Sequence, residues 1–245
     1  MIKVKKLNLE VNTELLISDI TIDFKPGEFW AILGNNGTGK STLLETLAGF
    51  KTIHQGKITI NGIALSSLNP LERAQKISFL TQATEASLNC TVEQNLSYAR
   101  YPWHQKSIDK QKDNAIIESV MQVMDLQHLR DKNIQQISGG ELRKVEIATA
   151  LVQDSDVLML DEPLNHLDLA FRIKLMSYLQ QLSRNKVIIM VTHDIQYVQK
   201  YCSNVIMILD NKNTLTGHVK SLLTTENLTK MLGISVPDFI KTELL

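Results

Sequence analysis

Apolar and polar residues alternate over Ile20-Thr21-Ile22-Asp23-Phe24, the two-residue period of a half-buried strand. Lys25-Pro26-Gly27 reads as a turn, and the unbroken apolar run Phe29-Trp30-Ala31-Ile32-Leu33 as a short buried strand. Between the strand-like segments Lys57-Ile58-Thr59-Ile60 and Ile63-Ala64-Leu65 stands Asn61-Gly62, a pair that tolerates the positive φ of a type I′ turn, so a hairpin is expected. From about Thr91 to Gln136 strand alternation stops. Ile116, Ile117, Val120, Met121, Val123 and Met124 recur at helical spacing, which predicts a helical insertion. After it, apolar strand-length runs at 157–160, 187–191 and 205–209 alternate with helices expected from about Leu167 and Ile195. That alternation predicts an α/β core with a mainly parallel sheet, preceded by an antiparallel β subdomain. One domain is expected, with residues 1–90 and 137–245 as its core and 91–136 as a helical subdomain.

Composition narrows the class. The chain has 245 residues, with 26 basic and 26 acidic side chains that cancel, 43% apolar and 21% charged. This balance excludes disorder as the default and gives no support to bulk electrostatic binding of nucleic acid. No apolar run approaches the roughly 18–20 residues of a membrane-spanning helix. The start, Met1-Ile2-Lys3-Val4-Lys5-Lys6, reads as a charged strand, not a signal peptide, and Ile2 excludes N-myristoylation. Cys90 and Cys202 are far apart and unpatterned, which fits a reducing compartment and argues against a disulfide framework or a zinc site.

Three motifs carry chemistry. Gly34-Asn35-Asn36-Gly37-Thr38-Gly39-Lys40-Ser41, followed by Thr42, fits the G-x-x-x-x-G-K-[ST] phosphate loop, and it lies between a strand and a helix as that loop requires. Glycines let backbone approach phosphate, and the helix start aims free N–H groups at it. Lys40 would bridge the β- and γ-phosphates and Ser41 would ligate Mg²⁺. The run at 157–160 delivers Asp161 and Glu162 to the carboxyl edge of the sheet, where Asp161 can hold Mg²⁺ through water and Glu162 can polarise an attacking water. Ser138-x-x-Glu141 is a capping box. The box does not explain two consecutive glycines, Gly139 and Gly140, each of which costs helix stability. Free N–H groups beside a hydroxyl make this a second expected phosphate-binding surface.

In order, the phosphate loop, Gln82, Ser138-Gly139-Gly140-Glu141, Asp161-Glu162, Asp168 in Asn165-His166-Leu167-Asp168, and Thr192-His193-Asp194 resemble the nucleotide-binding subunit of ATP-binding-cassette (ABC) transporters over nearly the whole chain. The resemblance implies a phosphate-loop NTPase core using ATP and Mg²⁺. It also implies two copies paired head to tail, with each ATP between the phosphate loop of one and the Ser-Gly-Gly of the other. It makes Glu162 the catalytic base, Gln82 a metal- and coupling-linked glutamine, Asp168 part of a loop that senses the opposite subunit, and His193 a γ-phosphate contact. Two positions depart from the family pattern. Val11 falls about where an aromatic residue usually stacks on adenine, and no Tyr, Phe or Trp precedes Phe24. Glu141 stands for the usual Gln. If its side chain turns back to cap the helix, its charge need not oppose phosphate; if it faces the site, it should weaken ATP binding. His54, His104, His128, His166 and His218 have no ligand spacing and read as surface or local structure.

Tyr98-Ala99-Arg100-Tyr101-Pro102-Trp103 is similar to the Gly-Arg-Tyr-Pro-His segment of importers of iron–siderophore, haem and cobalamin complexes, and the tail around Leu222–Leu228 is similar too. Arg-Tyr-Pro can also be a helix end before proline. The aromatic residues Tyr98, Tyr101 and Trp103 either pack the insertion or face a membrane partner. The resemblance implies integral-membrane permease subunits as partners, a substrate-binding protein acting through them, and a place on the cytoplasmic face of the membrane. A soluble ABC ATPase of iron–sulfur cluster assembly, which shares Ser-Gly-Gly-Glu, is the alternative.

Overall fold

The computed structural model describes residues 1–11, 14–82, 89–104, 109–209 and 213–233. In chain order the elements are β1 (Ile2–Val11), β2 (Glu14–Phe24), β3 (Phe29–Leu33), α1 (Lys40–Leu47), β4 (Gln55–Ile60) and β5 (Ile63–Ala64). Then come α2 (Pro70–Lys76), β6 (Ile77–Leu80), α3 (Val92–Tyr98), α4 (Lys110–Val123), α5 (Gly139–Val152), β7 (Val157–Asp161) and α6 (Leu169–Leu182). The last are β8 (Val187–Val191), α7 (Ile195–Tyr201), β9 (Asn204–Ile208), β10 (Thr214–His218), α8 (Val219–Leu222) and α9 (Thr225–Leu232). They form two compact units, one from Met1–Leu68 and Met176–Leu245, the other from Asn69–Leu175.

In the first unit, β2-β1-β4-β5 make an antiparallel sheet. Ile2 pairs with Phe24 and Ile60, and Val4 with Ile22 and Ile58, so one face of β1 is apolar on both sides. The expected hairpin joins β4 to β5: Asn61 and Gly62 take φ of 50° and 84°, the two positive values of a type I′ turn. Leu65 departs from the expected strand and opens a 3₁₀ turn. The second sheet of this unit runs β10-β9-β3-β8, with β3 parallel to β8 and β9. Every residue of β3, β8 and β9 is buried, in keeping with the unbroken apolar runs of β3 and β8 and the apolar run that follows Asn204 in β9. Phe24 meets Trp30 edge to face at 5.1 Å between centroids.

In the second unit β6 and β7 pair in parallel, and α2 to α5 supply most of the rest. The stretch after Thr91 carries α3, α4 and short 3₁₀ turns joined by turns, with one bridge from Thr91 to Asn133, and residues 105–108 lie outside the description. Ile117, Val120 and Met121 form the buried face of α4. The helix expected from about Leu167 starts at Leu169, because the Asp168 carboxylate accepts the Phe171 N–H at 2.9 Å and caps it.

Candidate active site

The first unit holds the phosphate loop. β3 feeds it directly, and α1 begins at Lys40. Gly39 is the N-cap of α1 with φ 95°, and no side chain caps that helix. A glycine N-cap offers no side-chain acceptor of its own, and a helix start led by such a residue suits an anion. Lys40, only 8% exposed, donates through Nζ to the carbonyls of Gly34 and Asn35, both at 2.9 Å, so its ammonium lies over the loop. Thr38 Oγ1 donates to Asn35 O at 2.9 Å and tightens the turn. At Gly34 a Cβ would come within 2.8 Å of Thr38 Oγ1, so that position admits no side chain. Gly37 is left-handed, and Asn36 is exposed at the tip. Ser41 and Thr42 occupy the first turn of α1.

His193 belongs to the same edge. Ile32 of β3 pairs with Val191 of β8, and His193 follows two residues later, exposed, after the fully buried Thr192. Thr192 Oγ1 accepts the Asp194 N–H at 3.1 Å and shapes that turn. Beside α1 is a cavity of about 300 Å³ lined by Glu10, Val11, Thr42, Thr46, Lys51 and His54, among others. Val11 is exposed at its wall, and the lining is polar rather than aromatic.

The second unit holds the other motifs. Leu80 of β6 pairs with Leu160 of β7, so Gln82 and Glu162 lie equally far beyond paired positions at one edge. Gln82 is exposed; Asp161 and Glu162 are buried. Glu162 takes φ 48°, a left-handed conformation that costs a non-glycine residue about 1–2 kcal/mol. Arg143, a residue the sequence reading did not single out, reaches this turn. Its Nη2 donates to Asp161 O at 3.0 Å and Glu162 O at 2.8 Å. Its Nη1 donates to Thr81 O at 3.1 Å and to the Glu146 carboxylate at 2.9 Å. The available signal was its place on α5, four residues before buried Ile147 and eight before Leu151, on an otherwise apolar face.

Ser138 caps α5 with both halves of the capping box in place. The Glu141 side chain turns back: its Oε2 accepts the Ser138 N–H at 2.8 Å and the Ser138 hydroxyl at 2.6 Å. These two hydrogen bonds hold the Glu141 carboxyl below its usual value, aided by the charges of Lys132 and His128. Gly139 is exposed, and a Cβ there would meet nothing within 4 Å. A Cβ on Gly140 would stand 3.3 Å from His166 O, which places the start of α5 against the loop that leads to Asp168. Asp168 itself is the cap of α6.

The Arg-Tyr-Pro segment is more than a helix end. Arg100 is 3% exposed and donates through Nε to Asp113 at 2.8 Å and through Nη1 to Val152 O at 2.9 Å. His104 Nε2 meets the other Asp113 oxygen at 2.6 Å, and Trp103 Nε1 donates to Gln153 O at 2.6 Å. Gln75 Nε2 donates to Pro102 O at 2.7 Å. Tyr98 and Tyr101 are exposed, so they do not pack the insertion; Trp103 sits at the margin.

A glycine-cradled lysine at an uncapped helix start, on a buried parallel sheet, defines a phosphate-loop nucleotide-binding protein. The sequence profile of the ABC transporter family matches residues 17–165, and the chain belongs to that family. It is similar to the petrobactin import ATP-binding protein of Bacillus subtilis, 27% identical over 97% of this chain and 94% of the relative. It is 30% identical to the ferric enterobactin transport ATP-binding protein of Escherichia coli, over 94% of this chain and 86% of the relative. Among solved structures, an ABC transporter described as of metal-chelate type, in an inward-facing conformation, superposes with a TM-score of 0.80 at 26% identity, covering 95% of this chain and 88% of that one. The iron–sulfur assembly alternative draws no support from these relatives.

Proposed function

We propose that this chain is the ATP-hydrolysing subunit that energises import of a metal chelate of the iron–siderophore, haem or cobalamin class. The observation that carries the ATPase reading is the start of α1, where an uncapped, glycine-led turn lies under the Lys40 ammonium. The substrate class is supported by the petrobactin and enterobactin relatives and by the Arg100-Tyr101-Pro102 segment.

In this reading Lys40 and the loop N–H groups, from Gly34 to Thr42, hold the phosphates in the ground state. Ser41, Gln82 and Asp161 supply a hydroxyl, an amide and a carboxylate, the hard oxygen donors that suit Mg²⁺. When bound, that ion offsets the charge that develops on the β- and γ-oxygens. Glu162 polarises the attacking water, and His193 contacts the γ-phosphate. Ser138, Gly139 and Gly140 of a second copy complete each site, and Asp168 lies in the loop facing that copy. Among the described residues no helix is long and apolar enough to cross a membrane, which supports separate permease subunits as the pore. A substrate-binding protein feeds that pore, and this subunit works from the cytoplasmic face.

Glu162→Gln should retain ATP binding, lose most turnover and accumulate a dimer, while Lys40→Ala should weaken nucleotide binding itself. Steady-state hydrolysis near wild type in Glu162→Gln would remove Glu162 from the role of base. With a permease in proteoliposomes, stimulation of hydrolysis by a ferric siderophore, haem or cobalamin identifies the cargo, and stimulation by none of them would sink the substrate reading.

A further inference from the structure

Glu162 is held in a left-handed turn, and backbone in that region persists only where its surroundings hold it. Arg143 is 4% exposed, and one of its nitrogens donates to both carbonyls of the turn, Asp161 O and Glu162 O. Its other terminal nitrogen reaches Thr81 O, one residue before Gln82. The Glu146 carboxylate, one helical turn further along α5, neutralises the guanidinium in place. Three carbonyls from two strand ends thus converge on one planar fork, which only arginine presents. The Nε of Arg143 is buried without a hydrogen-bond partner, so the side chain sits where the carbonyl contacts dictate and not where its full donor set would be satisfied.

We propose that Arg143 is a positioning residue for hydrolysis: it fixes the Asp161–Glu162 turn that aims the Glu162 carboxylate, and it ties that turn to the base of Gln82. Because Arg143 lies one turn past the Ser138 cap, a displacement of the start of α5 is carried to Gln82 and Glu162 through the same guanidinium. This rests on the reading of Glu162 as base. It adds a residue that acts on turnover without touching nucleotide.

The test compares ATP turnover and equilibrium ATP binding for full-length wild type, Arg143→Met, Arg143→Lys, Glu162→Gln and the double variant Arg143→Met/Glu162→Gln. A misplacement of the carboxylate by about 1 Å costs on the order of 10²-fold, so Arg143→Met should lose about that in kcat, with ATP affinity within about threefold of wild type. Lysine can satisfy part of the carbonyl set, so Arg143→Lys should fall between the two. The double variant should turn over no more slowly than Glu162→Gln, since both changes act through one carboxylate. A kcat for Arg143→Met within about threefold of wild type overturns the proposal. So does a loss matched by an equal loss of binding, or losses that multiply in the double variant. If Arg143→Met does not fold, Arg143→Lys carries the test, and its turnover must fall while its binding holds. Wild-type turnover in Glu162→Gln would instead fault the choice of base.

Discussion

Arg100 offers the sharpest test of how the helical region is held. Its guanidinium is paired with Asp113 and bonded to the carbonyls of Val152 and Gln153, at 2.9 and 3.3 Å, near the end of α5. Arg100→Met keeps nearly the same volume, so little cavity forms. It removes the partner of a carboxylate whose side chain is only 12% exposed. Breaking a buried pair from one side costs about 3–5 kcal/mol, and the His104 contact that remains on Asp113 argues for the lower end, about 3 kcal/mol. For a chain of this size 1 kcal/mol moves Tm by roughly 2–4 °C, so the expected drop is about 6–12 °C. Tyr101, next in sequence but 67% exposed, should behave differently. Tyr101→Ala should stay within about 0.5 kcal/mol, or about 2 °C, as surface changes do.

Thermal unfolding followed by circular dichroism reads both. A drop under about 2 °C for Arg100→Met, or an equal drop for Tyr101→Ala, would refute the reasoning. The same pair sets a pH dependence. Burial pushes the Asp113 carboxyl up, but hydrogen bonds from His104 and Arg100 and the Arg100 charge outweigh it and hold the group below its usual value. A carboxyl lowered in the fold contributes stability that is full above its unfolded pKa and lost as pH falls through the folded one. The gap between wild type and Arg100→Met should therefore be widest at neutral pH and close progressively below about pH 4.

Two further outcomes are expected. Gly139→Asp finds open space for its Cβ and should leave the fold intact, yet it sets a carboxylate where the γ-phosphate of a partner copy should lie. ATP-induced dimerisation in the Glu162→Gln background, followed by light scattering, should vanish while a single subunit still binds nucleotide, and a surviving dimer would contradict the paired-site reading. At the base, Val11→Tyr should raise ATP affinity, since stacking is worth about 1–3 kcal/mol, and a wild-type preference for ATP over GTP above about tenfold would show that another group reads the base.

Much of this was legible where local chemistry decides. Asn61-Gly62 specified its turn because few residue pairs tolerate two positive φ values, and the short apolar, largely β-branched runs in β8 and β9, like that of β3, have the length of buried strands. The phosphate loop was legible for the same reason: its glycines, Thr38 and Lys40 act on their own segment. Arg143 and Arg100 were not, because their meaning lies in carbonyls far along the chain. Thr81 lies 62 residues from Arg143, and Val152 lies 52 from Arg100. No spacing rule relates an arginine to a backbone carbonyl at such a distance. α6 begins at Leu169, two residues past the expected start near Leu167, because Leu167 continues the apolar pattern whereas the capping bond to Asp168 decides the boundary.

The acid at position 141 shows how local and distant effects combine. A carboxylate beside a phosphate surface would be expected to repel the ligand. Here it has turned away, and both of its Ser138 contacts converge on one oxygen, at the positive end of the α5 dipole. The charge is therefore spent on the helix start, and the exposed Gly139 backbone is left facing outward. The Ser138 hydroxyl, however, already donates to Glu141, so under the paired-site proposal a phosphate from a second copy would have to share or displace it. In that proposal the two-glycine step and the acid would act on one small surface in opposite senses, one opening it to anions and the other competing for its hydroxyl. Arg143 begins one turn beyond that surface. Whatever the competition at Ser138 does to the first turn of α5 is felt next at the carbonyls of Thr81, Asp161 and Glu162.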